Sequence, residues 1–208
     1  LSFETTRKPY SASILGLYGQ NGSGKTALID ALSLLKHLLM GQQIPSKFAD
    51  CINVDATQAS FCFHFKVRCN TQEPMECAVA YSCSIRKDAD ESAANMEQAP
   101  KWKVTVFHEV LSASFKSDGQ KSRFSPLVNT QTDGVFLPVS KFKALVGGKK
   151  STETDLLVAK KLAAATSRTF VFSRELVTMI RRQCKDKALL SLYEALIAYG
   201  NFELFIID

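Results

Sequence analysis

The segment from Gly19 to Thr26 reads GQNGSGKT, which is the pattern G-x-x-x-x-G-K-T, and it constrains the fold of this chain more than any other stretch. The apolar run at residues 13–18 precedes it and predicts a short buried strand. Residues 26–39 follow it and predict an amphipathic helix, which we expect to end near Gly41. The leucines that share one face of this helix are Leu28, Leu32, Leu35 and Leu39. A strand, a glycine-rich loop and a helix in this order are the context of a phosphate-binding P-loop.

The residue types in this segment suit the binding of a nucleotide phosphate. Glycines allow backbone conformations with positive φ and a close approach to an oxyanion. Successive N–H groups then surround the phosphate at the positive end of the helix. Lys25 is predicted to contact the β- and γ-phosphates, and the Thr26 hydroxyl is predicted to bind Mg²⁺. The predicted ligands are ATP and Mg²⁺, and the binding residues are Gly19, Gln20, Asn21, Gly22, Ser23, Gly24, Lys25 and Thr26.

Composition sets the broad class of the chain. Its 208 residues are 46% hydrophobic, which is enough for a packed core in one or two domains. Because the chain starts at Leu1 without a methionine and stops inside an apolar run, we expect it to be a fragment. It has no signal peptide and no apolar run of transmembrane length, so a cytoplasmic location without membrane contact is expected. The six cysteines form no C-x-x-C pair, and we expect buried reduced thiols.

The middle of the chain predicts an antiparallel sheet. Strand-like alternation covers residues 59–68, 76–86 and 101–115, with a possible bulge near His108 and Glu109. Loops rather than helices separate these runs, which favours antiparallel pairing. Residues 42–57 and 116–134 are polar and predicted as loop or turn, with a hairpin signal at Asp118 and Gly119. Residues 135–137 predict one more short strand.

The last third of the chain is predicted to be helical. A first helix runs from a cap at Ser151 or Thr152 to about Ala165, and a second covers residues 173–184. A third begins at Asp186 and ends at Gly200, and residues 202–207 then predict a buried strand. The buried face predicted for the third helix is Leu189, Leu192, Tyr193, Leu196 and Tyr199.

The order of these elements resembles the ATP-binding lobe of ABC-type ATPases, in particular the branch that includes SMC proteins, RecF and the OLD family. Residues 1–4, reading LSFE, resemble the opening strand of that branch, and residues 15–32 resemble its P-loop and helix. The resemblance implies an α/β fold: a P-loop NTPase lobe with an antiparallel β subdomain at residues 1–137 and a helical segment at 138–200. Residues 201–208 are then a strand that returns to the core sheet.

The resemblance also implies partners. Such lobes enclose ATP in pairs, so hydrolysis is expected only with a second lobe or a homodimer, and an effector protein is expected. The sequence has no signature Ser-Gly motif, no obvious Q-loop and no complete Walker B motif. Asp208, after an apolar run, is a weak Walker B candidate and otherwise a residue that ends a strand. The catalytic residues therefore stay unknown.

Charge is concentrated in one part of the chain. The net charge is +6, and the stretch from Lys141 to Lys187 contains twelve Lys or Arg but only four Asp or Glu. Such an excess predicts either contact with nucleic acid or a solvated helical face. His108 and Glu109 are expected on opposite faces of a strand, which favours a structural role. Two other readings stay open: a nucleotide-gated interaction module with negligible turnover, and a small-molecule kinase with Arg181 or Arg182 in its lid.

Overall fold

A computed structural model describes residues 18, 20, 24–69, 75–89, 102–115, 123–131, 144–147 and 150–204. Several sequence predictions fall outside these residues. They are the opening strand at 1–4, the strand at 13–18 apart from Tyr18, the turn at Asp118 and Gly119, the strand at 135–137, and Asp208.

The described chain combines helices with one four-stranded antiparallel sheet. The strands follow one another in the order β1-β2-β3-β4, and each pairs with its sequence neighbour. The strands are β1, Gln58–Cys69; β2, Met75–Ala89; β3, Trp102–Phe115; and β4, Ser125–Asn129. The α-helices are α1, Lys25–Leu39; α2, Lys150–Ala165; α3, Arg174–Gln183; and α4, Lys187–Ala198. The predicted antiparallel pairing of the three long strands is confirmed.

The bulge predicted in β3 is present and changes which residues face the core. Ser82 pairs with Val110 and Ser84 pairs with Phe107, so His108 and Glu109 together lie opposite one residue of β2. His108 adopts a φ of 51°, in the left-handed region. The alternating buried positions of β3 are Val104 and Val106 before the bulge and Glu109, Leu111 and Ala113 after it, and Ser114 near the end of the strand is also buried. The extra residue therefore shifts the alternation by one and turns Glu109 inward.

Two segments predicted as loop contain regular structure. Residues 46–51 form a short 3-10 helix, Ser46–Cys51, which buries Phe48 and Ala49. Pro45 occupies the N-cap with a φ of −60° and starts this turn. The second correction is β4, in which Leu127 and Val128 are fully buried. Its apolar stretch is too short to alternate visibly, and it is ordered by pairing with β3.

Helix α1 ends as predicted but presents a different face to the core. The N–H of Gly41, with a φ of 63°, donates to Leu38, and the N–H of Gln42 donates to His37. This arrangement is a Schellman motif with glycine in the left-handed position. Leu35 and Leu39 are buried as predicted, whereas Leu28 is 45% exposed. The buried face is instead formed by Ser33, Leu34, Leu35, Leu38 and Leu39.

The three C-terminal helices follow the predicted pattern with small differences at their ends. Helix α2 begins at Lys150, so the predicted caps Ser151 and Thr152 lie inside it. Helix α3 is capped by the Ser173 hydroxyl, which accepts from the N–H of Leu176 at 3.3 Å. Helix α4 is capped by Asp186, whose carboxylate accepts from Ala188 and Leu189. Its buried residues are Leu189, Leu192, Tyr193 and Leu196, as predicted, and Tyr199 is half-buried.

The predicted strand after Gly200 is wrong where the structure describes it. The chain continues from α4 into a π-helical turn, Tyr199–Glu203, and Phe202 in that turn is 74% exposed. Gly200 lies against Leu39 of α1, and a Cβ at this position would meet the Leu39 Cβ at 2.7 Å. The absence of a side chain therefore allows the π-helical turn to approach α1 closely.

One cluster of buried side chains joins α1, the sheet and the three C-terminal helices. A chain of aromatic contacts illustrates this. Tyr81 of β2 meets Phe172 edge to face with ring centroids 5.2 Å apart, and Phe172 lies 6.1 Å from Tyr193 of α4. An edge-to-face pair such as Tyr81 and Phe172 stabilises the core beyond the burial of apolar area.

Candidate functional site

The loop-to-helix junction of the P-loop segment is described at Gln20, Gly24, Lys25 and Thr26. Gly24 is the N-cap of α1 and has a φ of 86° and a ψ of 11°, in the left-handed region. A Cβ added to Gly24 would meet no atom of the described residues within 4 Å. The requirement for glycine here is thus conformational rather than steric, as expected for a loop that turns sharply into a helix.

Lys25 folds back across the loop. Its Nζ donates a hydrogen bond of 2.8 Å to the carbonyl oxygen of Gln20, five residues earlier. This contact holds the ammonium group at the backbone of Gln20. The structure therefore brings Gln20, Gly24 and Lys25 together, while Gly19, Asn21, Gly22 and Ser23 lie outside the described residues.

The start of α1 is open to solvent and carries no negative side chain. Thr26 is exposed, and the first turn of the helix contains no acidic residue. The first N–H groups of a helix have no intrahelical acceptor, and Gly24 has no side chain to cap them. With the partial positive charge of a helix N-terminus, these donors and Lys25 fit an anionic phosphate. The exposed Thr26 hydroxyl fits one ligand of a hard cation such as Mg²⁺.

No group of three or more metal-ligating His, Cys, Asp or Glu occurs among the described residues. All six cysteines are free thiols, and Cys69, Cys77 and Cys83 are buried. The sulfur atoms of Cys69 and Cys77 are 3.3 Å apart, and burial raises the pKa of Cys77 to about 12. Such a thiol stays protonated and does not act as a nucleophile near neutral pH.

A buried carboxylate connects the sheet to the segment before α3. Glu109 Oε1 accepts from the Tyr81 hydroxyl at 2.7 Å and from the Thr169 hydroxyl, and Oε2 accepts from the N–H of Phe170 at 2.7 Å. Burial raises the pKa of Glu109, and these hydrogen bonds oppose the rise. Burial and the neighbouring Glu109 also raise the pKa of Tyr81. Because both of its carboxylate oxygens accept hydrogen bonds from within the protein, Glu109 links β3 to β2 and to the segment before α3. This is consistent with the structural role expected from the sequence.

The basic residues between Lys141 and Lys187 have different surroundings in the fold. Arg181 of α3 forms a two-pronged ion pair with Glu194 of α4, with distances of 2.7 and 2.9 Å. This pairing raises the pKa of Arg181 and lowers that of Glu194. Lys161 and Arg182 are exposed. Lys160, which belongs to the same segment, lines a cavity together with Arg168.

Sequence reasoning missed Arg168 as a site residue. It follows Ser167, which has a φ of 55° after the last turn of α2, and nothing in the sequence marks a serine for that conformation. The N–H groups of Ser167 and Arg168 donate to Ala164 and Ala163, which completes a Schellman motif with serine in the usual glycine position. The reversal of the chain at Ser167 fixes where Arg168 leaves the helix.

Within the described residues, no helix is long and apolar enough to cross a membrane. Comparisons with protein-family models, with curated proteins and with solved structures find no match. Any functional argument therefore depends on the chain's own residues and their geometry.

Proposed function

We propose that this chain is the ATP-binding lobe of an ABC-type P-loop ATPase. The observation that carries the proposal is the junction at Gly24, where a left-handed glycine leads into α1 and Lys25 turns back to the carbonyl of Gln20. A P-loop needs this combination, because the backbone N–H groups and the lysine must converge on one phosphate. On this proposal the ATP phosphates lie at the start of α1 and Mg²⁺ bridges them to Thr26.

The antiparallel sheet supports an ABC-type lobe over a small-molecule kinase. P-loop kinases follow the first helix with further strand–helix units of a parallel sheet. Here α1 is followed by four antiparallel strands before the next α-helix among the described residues. In the proposed lobe this sheet is the β subdomain, and the parallel core sheet includes the predicted strand at residues 13–18.

The proposed lobe binds ATP alone and hydrolyses it when a second lobe completes the site. The proposed biological action of the lobe is on nucleic acid, in DNA repair or anti-phage defence. Its proposed partners are a second lobe or a homodimer, and an effector protein. The resemblance of residues 1–40 to the SMC, RecF and OLD branch supports this choice, and the basic segment supports contact with a polyanion. If the lobe binds ATP but hydrolyses none with any partner lobe, this result supports the nucleotide-gated interaction module instead.

Calorimetric titration with Mg-ATP tests the proposal. Lys25→Ala should abolish binding, because it removes a charge-assisted contact with phosphate and leaves the buried face of α1 intact. Lys161→Ala makes the same change at an exposed position of α2 and should leave affinity unchanged. Circular dichroism and urea unfolding should show both variants to be folded. Equal affinity of native protein and Lys25→Ala would exclude the P-loop assignment.

Nucleic-acid contact is tested separately through its salt dependence. Phosphate contacts release counterions, so affinity should fall steeply as salt rises. Charge reversal at Lys160, Lys161, Arg181 and Arg182 should weaken binding to all sequences alike, because phosphate carries no base information. Anisotropy titrations over a range of salt, with ATP present, measure this. No binding at low salt would favour a solvated helical face.

A further inference from the structure

Two cavities adjoin each other where α2 ends. The larger has a volume of about 230 Å³ and is lined by residues of β3 and α2, and the smaller, of about 160 Å³, is lined by the end of α1 and the start of α3. Ala163 and Arg168 line both. Arg168 is therefore common to both cavities.

Each cavity combines Arg168 with a second cation. Lys160 lines the larger cavity, together with His108 and Gln131. Arg174 lines the smaller cavity. A guanidinium flanked by a second cation is suited to hydrogen-bond the oxygens of a phosphate.

One carboxylate lines each cavity. Glu109 in the larger cavity is buried and already accepts from Tyr81, Thr169 and Phe170. Glu175 in the smaller cavity is exposed, in the first turn of α3. Its negative charge repels an anion there, so a variant without this charge should bind an anion more tightly.

The carbonyl end of α2, which would repel an anion, is covered by donors. Its last carbonyls accept from the N–H groups of Thr166, Ser167 and Arg168 and from the Thr166 hydroxyl. Lys103 of β3 donates from Nζ to the carbonyl of Ala165 at 2.8 Å. The negative end of the helix dipole is thereby offset beside the cavities.

Backbone strain occurs next to these cavities. The two non-glycine residues with positive φ among the described residues are His108, which lines the larger cavity, and Ser167, which directly precedes Arg168. Strained backbone of this kind is often found where a side chain must be aimed at a ligand.

We infer that the two cavities beside Arg168 form a second phosphate-binding site, which takes two phosphate groups of one ligand. One phosphate lies between Lys160 and Arg168, and the other lies between Arg168 and Arg174. The shared chemistry is a pair of linked phosphates, from either a free diphosphate compound or the phosphodiester backbone of a nucleic acid.

This site is distinct from the P-loop and does not depend on the proposed function. Gly41 lines the smaller cavity and lies just beyond the C-terminal end of α1, whereas Lys25 begins that helix. A helix of 15 residues is about 22 Å long, so the two phosphate sites are separated by roughly this length.

The test uses protein carrying Lys25→Ala, so that the P-loop does not contribute a second binding event. Calorimetry measures the binding of inorganic pyrophosphate and, separately, of a short single-stranded thymidylate oligonucleotide. Adding Arg168→Gln should weaken binding by about tenfold or more, since both phosphates lose a charge-assisted partner. Arg174→Gln affects one cavity and should cause a smaller loss, whereas Glu175→Gln should strengthen binding.

Arg68→Gln is the matched control, because it removes the same charge from β1 at an exposed position outside both cavity linings and outside the basic segment. It should leave affinity unchanged. Binding of pyrophosphate alone identifies a free diphosphate ligand, and Arg168-dependent binding of the oligonucleotide identifies a nucleic-acid backbone. Binding of neither probe, or equal loss in Arg68→Gln and Arg174→Gln, overturns the inference. Because Arg174 is exposed on the first turn of α3, its variant stays informative if Arg168→Gln does not fold.

Discussion

The hydroxyl of Tyr81 donates a hydrogen bond of 2.7 Å to Oε1 of Glu109, and both side chains are buried. Tyr81 lies in the centre of β2, and Glu109 is turned inward by the bulge of β3. The other carboxylate oxygen accepts from the N–H of Phe170, in the segment between α2 and α3. The pair therefore couples the packing of the sheet to that of the C-terminal helices.

Glu109→Gln should destabilise the protein strongly. The amide keeps the shape but carries two N–H donors where a protonated carboxyl carries one O–H donor, and these face the donors of Tyr81, Thr169 and Phe170. We expect a loss of about 2–4 kcal/mol in the free energy of unfolding, measured by urea denaturation. Tyr81→Phe removes one donor and leaves the others, so its loss should be about 1–2 kcal/mol. A Glu109→Gln variant as stable as the native protein would contradict the role given to this carboxylate.

The same carboxylate should make stability depend on pH in a defined direction. Burial raises the pKa of Glu109 above its ordinary value of 4.5 in the folded state. The folded protein therefore holds this proton more tightly than the unfolded chain, and the resulting stability is fully present below the ordinary pKa. It is lost as pH rises through the folded pKa. Unfolding free energies of native protein and Glu109→Gln, compared at increasing pH from 4.5, should give a difference that shrinks; a growing difference would reverse the assignment.

The metal role proposed for Thr26 predicts a difference between two substitutions. Thr26→Ala should weaken ATP binding in the presence of Mg²⁺ by at least about tenfold and have a smaller effect when EDTA is present. Thr26→Ser keeps the hydroxyl and should have a mild effect. Thr26 is exposed, so neither variant disturbs the core. Paired titrations with and without magnesium measure the effect, and equal losses in both would rule out contact with the ion.

Gly24 and Gly41 form a natural pair for separating backbone strain from steric overlap. Both have positive φ, but a Cβ at Gly24 meets nothing within 4 Å, whereas a Cβ at Gly41 overlaps the carbonyl oxygen of Phe172. Gly24→Ala should therefore cost only the strain of the left-handed region, about 1–2 kcal/mol. Gly41→Ala adds the displacement of backbone and should cost about 3 kcal/mol or more. Urea unfolding of the two variants gives the comparison, and similar losses would show that the segment at Phe172 moves freely.

The elements that the sequence predicted well carry their own local signals. The alternation of Phe61, Phe63, Phe65 and Val67 marks β1, and the capping residues Ser173 and Asp186 mark the starts of α3 and α4. Gly41 marks the end of α1 because the residue after a helix often adopts a left-handed conformation, which glycine takes up without strain. In each case the cause lies within a few residues of the effect.

The elements that the sequence did not predict depend on distant contacts. Leu127 and Val128 form a strand because β3 offers an edge, and Phe48 is buried because α1 passes nearby. In the same way, Arg168 becomes a candidate ligand only when α2 and β3 bring Lys160 and His108 beside it. The proposed P-loop lies in one contiguous motif, whereas the linings of the two cavities join residues that lie 134 positions apart at their extremes, from Gly41 to Glu175.

Ser167→Gly should stabilise the protein. Ser167 has a φ of 55° in the position where a Schellman motif usually has glycine, and its buried hydroxyl has no hydrogen-bond partner among the described residues. Glycine removes both the backbone strain and the unpaired buried hydroxyl. Part of the resulting gain in stability is lost, because glycine increases the conformational entropy of the unfolded chain. We expect a net gain of about 1 kcal/mol in urea unfolding. Ser167→Ala removes the hydroxyl but keeps the strain, so it should gain less; a stability of Ser167→Gly below that of Ser167→Ala would mean that the left-handed turn after α2 is not the source of the strain.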